Sequence, residues 1–188
     1  MNDIVFLTLT GFETLNISVL GHDSSVYRPR RRARLAMHWM FIGDSHIRNI
    51  FELLVKYRLQ GPMFRYRKES YMEGHWRPMK TLKVAKYQGI PITVQHLTAP
   101  LVFTFTWDPF LMLLPNLTNA WLEEDGMHPT LILMGTALHW MRETQDIYEA
   151  DPLKASNIYR EHLLSLSPSL QRLTPTSRVV FKLLDHLP

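Results

Sequence analysis

The chain has 188 residues, 46% of them hydrophobic and 11% aromatic, enough apolar mass to bury one core and consistent with a single domain. It has no cysteine, which excludes disulfides and thiolate metal sites, and no apolar run approaches the length of a bilayer span. The net charge of +4 conceals an asymmetry, because residues 28 to 87 hold 15 of the 21 Lys and Arg against four acids, while the remainder holds six bases and 13 acids. Such a basic half is either a solvated face or a surface for an anionic glycan, a membrane or nucleic acid. Arg28 to Arg34 form a tight cluster, yet no nucleic-acid-binding motif accompanies it.

In chain order, residues 1 to 36 form a variable segment without an assigned role. Ile4 to Leu9 and Leu15 to Leu20 are short strand candidates around Gly11. The opening 20 residues carry Asp3 and Glu13 and no Lys or Arg, unlike a secretory signal. Asn16-Ile-Ser and Asn116-Leu-Thr fit the glycosylation acceptor pattern and permit a lumenal location.

The stretch from Met40 to Val55 predicts strand, tight turn and helix. An apolar run leads into Gly43-Asp44-Ser45, and apolar residues then recur at 47, 50, 51 and 54, the spacing of an amphipathic helix. Gly43 permits backbone angles closed to other residues, and Asp44 favours a turn or an N-cap. Ser45 is left at the helix start, near free backbone N–H groups and the positive end of the helix dipole, where developing negative charge is stabilised. The same three residues are also an ordinary capped turn, so they do not by themselves specify catalysis.

Gly61-Pro62 ends the helix. Up to Pro100 the sequence is basic and weakly periodic, with one persuasive strand at Ile90 to Val94; His75 and His96 receive no role. Leu101 to Trp107 alternates β-forming residues and is stopped by Asp108-Pro109. Leu131 to Gly135 is a continuous apolar run, as expected of a central parallel strand. Pro152 to Leu170 reads as a helix capped by Asp151, and Ser177 to Leu184 as a further strand. Strand and helix in alternation predict an α/β domain over 37–188 with a mainly parallel sheet, right-handed crossovers and a ligand at the carboxyl ends of the strands.

Three strings in order resemble the GDSL/SGNH hydrolases, in the form found in the PC-esterase group. They are Phe41 to Phe51 with its Gly-Asp-Ser-x-x-Arg-Asn core, Phe105 to Leu111, and Leu131 to Trp140. That group includes the plant trichome-birefringence-like polysaccharide acetyltransferases and the Golgi sialate O-acetyltransferase. The resemblance implies a three-layer α/β/α sandwich and identifies Ser45 as a nucleophile acting on O-acyl, above all O-acetyl, esters of glycans. It implies a secretory-pathway or extracellular setting, acylated carbohydrate or an acyl donor as partner, and neither cofactor nor metal. Asn is absent from the third block, so backbone N–H groups near Gly135, with Arg48 or Asn49, are the expected oxyanion donors. Asp44 belongs to the same pocket, and His139 to its rim.

A serine nucleophile needs a base, usually a histidine oriented by a carboxylate. In the resembling families both come from an Asp-x-x-His motif after the strand that matches 178 to 184, so the chain is expected to cover about two thirds of a family domain. Asp185-His186 reads as the family's later turn. One Asp-x-x-His does occur, at Asp125 to His128, but ahead of the Leu131 strand. Asp125 and His128 are the orienter and base available to a conventional triad within this chain. The alternative is a catalytically inactive domain that binds an anionic glycan or a protein through the basic region 56 to 87.

Overall fold

Alternation along the central strands sends neighbouring side chains to opposite faces of one sheet, and each face gathers its own core. The computed structural model describes residues 5–8, 16–18, 37–68, 75–82, 90–123, 128–136 and 138–182. Its strands are β1 (Val5–Thr8), β2 (Asn16–Ser18), β3 (Met37–Gly43), β4 (Phe64–Lys68), β5 (Arg77–Pro78), β6 (Ile92–His96), β7 (Leu101–Trp107), β8 (Leu131–Gly135) and β9 (Arg178–Lys182). The helices are α1 (Ser45–Arg58), α2 (Leu114–Glu123), α3 (Leu138–Glu143), α4 (Gln145–Ala150), α5 (Pro152–Ser165) and α6 (Ser167–Leu173), with a 3-10 turn at Met79–Thr81.

The strands form one sheet in the order β2-β1-β9-β8-β3-β7-β6-β4-β5. β3 lies between β8 and β7 and pairs in parallel with both, so that Gly43 stands opposite Gly135 on one side and Trp107 on the other. β8 with β9 and β9 with β1 are also parallel. The expectation of a mainly parallel sheet holds for this central block. Outside it, β2, β6, β4 and β5 pair antiparallel, and the sheet as a whole is mixed.

One core joins Phe41, Phe103, Phe105, Leu133 and Val180 to Ile47, Phe51, Val55 and Leu59 along α1. Phe51 sits edge-on to Phe41 at 5.3 Å and stacks on Phe105 at 5.5 Å. The other core takes the alternate strand residues, Met40, Ile42, Ile132, Met134, Val179 and Phe181, and packs them against Leu114, Trp121, Leu166 and Leu173. Each buried aromatic or branched side chain of this kind contributes about 1.5–3 kcal/mol of transfer free energy.

The helix expected over 152 to 170 is two helices. Pro168 falls in the first turn of α6, where its missing N–H costs nothing, whereas within a continuous helix it would break a hydrogen bond. The Leu166 N–H tightens to the Leu163 carbonyl at 3.2 Å, closing α5 before the proline. The strand expected at 90 to 94 lies two residues later, and β4, whose Phe-Arg-Tyr-Arg-Lys sequence mixes basic and aromatic residues, was not anticipated. The strand candidates at 4–9 and 15–20 are present as β1 and β2. The Arg28 to Arg34 cluster, Asp125 and Asp185-His186 lie outside the described residues.

Candidate active site

Ser45 is the first residue of α1, two positions beyond the carboxyl end of the central strand. The turn that puts it there depends on Gly43, whose φ of 151° is one that side chains rarely adopt. A Cβ at Gly43 would overlap the Gly135 carbonyl oxygen and lie 2.8 Å from Ile47 Cγ1. Gly135 is almost as confined, since a Cβ there would meet Ile47 Cδ1 and the Lys182 carbonyl oxygen at 3.1 Å. The facing glycines let α1 descend directly onto the ends of β3 and β8.

Asp44 is the N-cap of α1, and its Oδ1 accepts the His46 N–H at 2.9 Å. The first helical bond runs from the Arg48 N–H to the Asp44 carbonyl at 3.0 Å. The amides of Ser45 and Ile47 therefore have no acceptor within the helix and remain at its positive end. Arg48 and Asn49 stand three and four residues after Ser45, on the same face. The Arg48 guanidinium lies over the Trp107 ring, 5.5 Å from its centroid, and its buried Nε has no hydrogen-bond partner.

β7 ends beside this turn. The Asp108 N–H donates to the Gly43 carbonyl at 3.1 Å, and the buried Asp108 carboxylate accepts the N–H groups of Met112 at 3.0 Å and Leu113 at 2.7 Å. This clasp holds Leu111 at a φ of 55°, a left-handed conformation that costs a non-glycine residue about 1–2 kcal/mol. It also presents Phe110 to the residues that follow β8.

The His139 ring lies edge-on to Trp107 at 5.5 Å and to Phe110 at 6.0 Å. Trp140 is edge-on to Phe110 at 5.4 Å, and its buried indole N–H has no partner. From α5, the Tyr159 hydroxyl donates to the Thr136 carbonyl at 2.7 Å, while the Thr136 hydroxyl donates to the Pro109 carbonyl. His162 Nε2 is 2.6 Å from the Phe110 carbonyl oxygen, with its ring against Trp140 at 4.7 Å. Burial, and then the negative charge of Asp44, push the Tyr159 phenol up to about 12, so it stays protonated as a donor.

Asp44, Ser45, Arg48, Asn49, Gly135 and His139 thus gather at the carboxyl ends of β3, β7 and β8. His128 does not join them. It precedes β8 at the opposite end of the sheet, where both the N–H and the hydroxyl of Thr130 donate to the His38 carbonyl. The register places Leu131 beside Trp39, and about 13 Å of strand separates that level from Gly43. The direction of β8 therefore puts His128 at the end of the sheet opposite Ser45. Phe110, Thr136, Tyr159 and His162 were missed in the sequence. Tyr159 and His162, three residues apart on α5, were the available signal, but nothing local says where that face docks.

The fold and site together define an α/β protein with a mixed sheet and a serine at a helix start beyond its central strand. Comparison with protein-family models, curated proteins and solved structures gave no significant match. Among the described residues, no helix is long and apolar enough to cross a membrane, and no group of three His, Asp or Glu is arranged to hold a metal ion.

Proposed function

We propose that this protein is a serine esterase or O-acyltransferase, with a three-layer α/β/α sandwich of the SGNH type, acting on O-acetyl groups of glycans in the secretory pathway or outside the cell. The observation that carries the reading is the position of Ser45, at the first turn of α1, separated from the positive-φ Gly43 by the N-cap Asp44 alone and placed at the end of β3, which lies between two parallel neighbours. A nucleophile held there has the Ser45 and Ile47 amides and the positive end of α1 beside it. The Arg48 Nε and Trp140 Nε1 are buried donors in need of acceptors, and the oxygens of an acylated sugar would supply them.

In the proposed reaction the Ser45 hydroxyl loses its proton to a base as Oγ bonds the acyl carbonyl carbon. The tetrahedral oxyanion is held by the helix-start amides and by Arg48 or Asn49. The carbon–oxygen bond to the leaving alcohol then breaks, the alcohol takes a proton, and an acyl-serine remains. Water or a sugar hydroxyl attacks this ester and regenerates Ser45. A fluorophosphonate probe tests the assignment: the folded protein is expected to label, and Ser45→Ala to abolish the label. Absence of labelling in the folded wild-type protein would refute it.

A second reading, binding without catalysis, draws on the sheet edge formed by β4 and β5. Arg65, Arg77 and Lys80 are exposed there, and the Arg67 guanidinium lies 5.1 Å from the centre of the Trp76 ring. This edge is distinct from the serine turn, so binding of an anionic glycan through it would weaken with salt and be unaffected by Ser45→Ala.

A further inference from the structure

We infer that His139 is the proton acceptor of Ser45, forming a serine–histidine pair drawn entirely from residues 37–182. This inference rests on the reading of Ser45 as nucleophile given above.

Strand order carries the argument. β8 and β7 lie on either side of β3, about 4.8 Å from it in each direction. His139 belongs to the chain leaving β8, yet its ring stands 5.5 Å from that of Trp107, the last residue of β7. That contact puts the ring at the carboxyl end of the sheet, the same end at which the β3 backbone turns through Gly43 and Asp44 into Ser45. Trp107 is itself the register partner of Gly43 and lies beneath Arg48, one turn along α1 from Ser45. Both ends of the His139–Trp107 contact therefore flank the serine turn.

The other described histidines are engaged or misplaced. His46 follows Ser45 on the helix, and consecutive helical side chains do not face each other. His162 Nε2 is held at the Phe110 carbonyl. His38 pairs with Thr104, and His96 Nδ1 accepts two amides of the turn before β7, while His128 precedes β8 at the far end of the sheet. His75 is exposed, two residues before the edge strand β5.

The ring of His139 is positioned by packing between Trp107 and Phe110, and its segment is braced by the hydrogen bonds from Tyr159 to Thr136 and from Thr136 to Pro109. Among the described residues Ser45 and His139 are not directly hydrogen-bonded, so the proton crosses after a rotation of the imidazole or through one bridging water. His139 takes the Ser45 proton as Oγ–carbon bonding begins and returns it to the departing alkoxide oxygen. In the second half it takes a proton from water or a sugar hydroxyl and returns it to Ser45 Oγ. No oxidant, reductant or further reactant is required.

The test is the rate of Ser45 labelling by a fluorophosphonate as a function of pH, in wild type, His139→Ala, His139→Gln and the control His75→Gln, with circular dichroism to confirm folding. Both His139 variants are expected to label at least about 100-fold more slowly and to lose the decline of rate toward acid. Added imidazole should restore part of the rate in His139→Ala, and His75→Gln should stay within about twofold of wild type. If Ser45 still labels at the wild-type rate in a folded His139 variant, His139 is not the base, although the nucleophile stands. If wild-type Ser45 does not label at all, both assignments fall.

Discussion

Tyr159 shows how a residue outside any motif enters the site. Its hydroxyl ties α5 to the end of β8 and sits close enough to Asp44 for that carboxylate to resist its ionisation. Because the folded protein keeps the phenol neutral up to about 12 while the unfolded chain ionises from 10.0, the stability linked to this group is intact below pH 10 and is lost as pH rises toward 12. Thermal melts from pH 9 to 12 should show that decline in wild type, and the share due to Tyr159 should vanish in Tyr159→Phe. The same variant should lose about 1 kcal/mol at neutral pH from the broken bond to Thr136. Ser45 was legible in the sequence because its placement is local, resting on a glycine, a cap and a helical period. Tyr159 was not, since it meets Asp44 only when α5 folds back on the sheet.

At the level of elements, the junction of β3 with α1 determines where Ser45 stands. Gly43 has the wrong φ for a side chain and no room for one, facing Gly135 with Ile47 packed above. Gly43→Ala should cost at least about 3 kcal/mol, measured by urea unfolding, because strained backbone angles add to overlap with a backbone carbonyl that cannot step aside. The sequence indicated the turn but not the confinement, which comes from the pairing of β3 with β8. The split between α5 and α6 has a similar explanation. The apolar period runs through Pro168, but the proline decides where one helix stops and the next begins. β4 escaped notice because its arginines and lysine obscure an alternation in which Tyr66 alone is fully buried.

For the whole molecule, the sheet is the wall shared by the two cores. Phe51, buried between Phe41 and Phe105, should cost about 3–5 kcal/mol when cut to alanine, whereas Leu164→Ala, at a side chain 60% exposed, should stay within about 0.5 kcal/mol. Denaturant titrations of the two variants check both figures. Equal losses would mean that the α1 face is not the core described.

Taken alone, the sequence located β3, α1, β7, β8 and β9 and pointed to Ser45, because hydrophobic period, caps and turn residues act over a few positions of chain. Only the tertiary structure decided which histidine lies at the same end of the sheet as that serine. His128 carried the suggestive spelling, but parallel pairing of β8 with β3 sends it to the far end of the sheet. His139 carried a weaker signal, and the order β8-β3-β7 with parallel pairing puts its ring against Trp107 at the carboxyl end of the sheet. Strand order and direction are set by which apolar faces bury one another across the whole chain, and no local string records that.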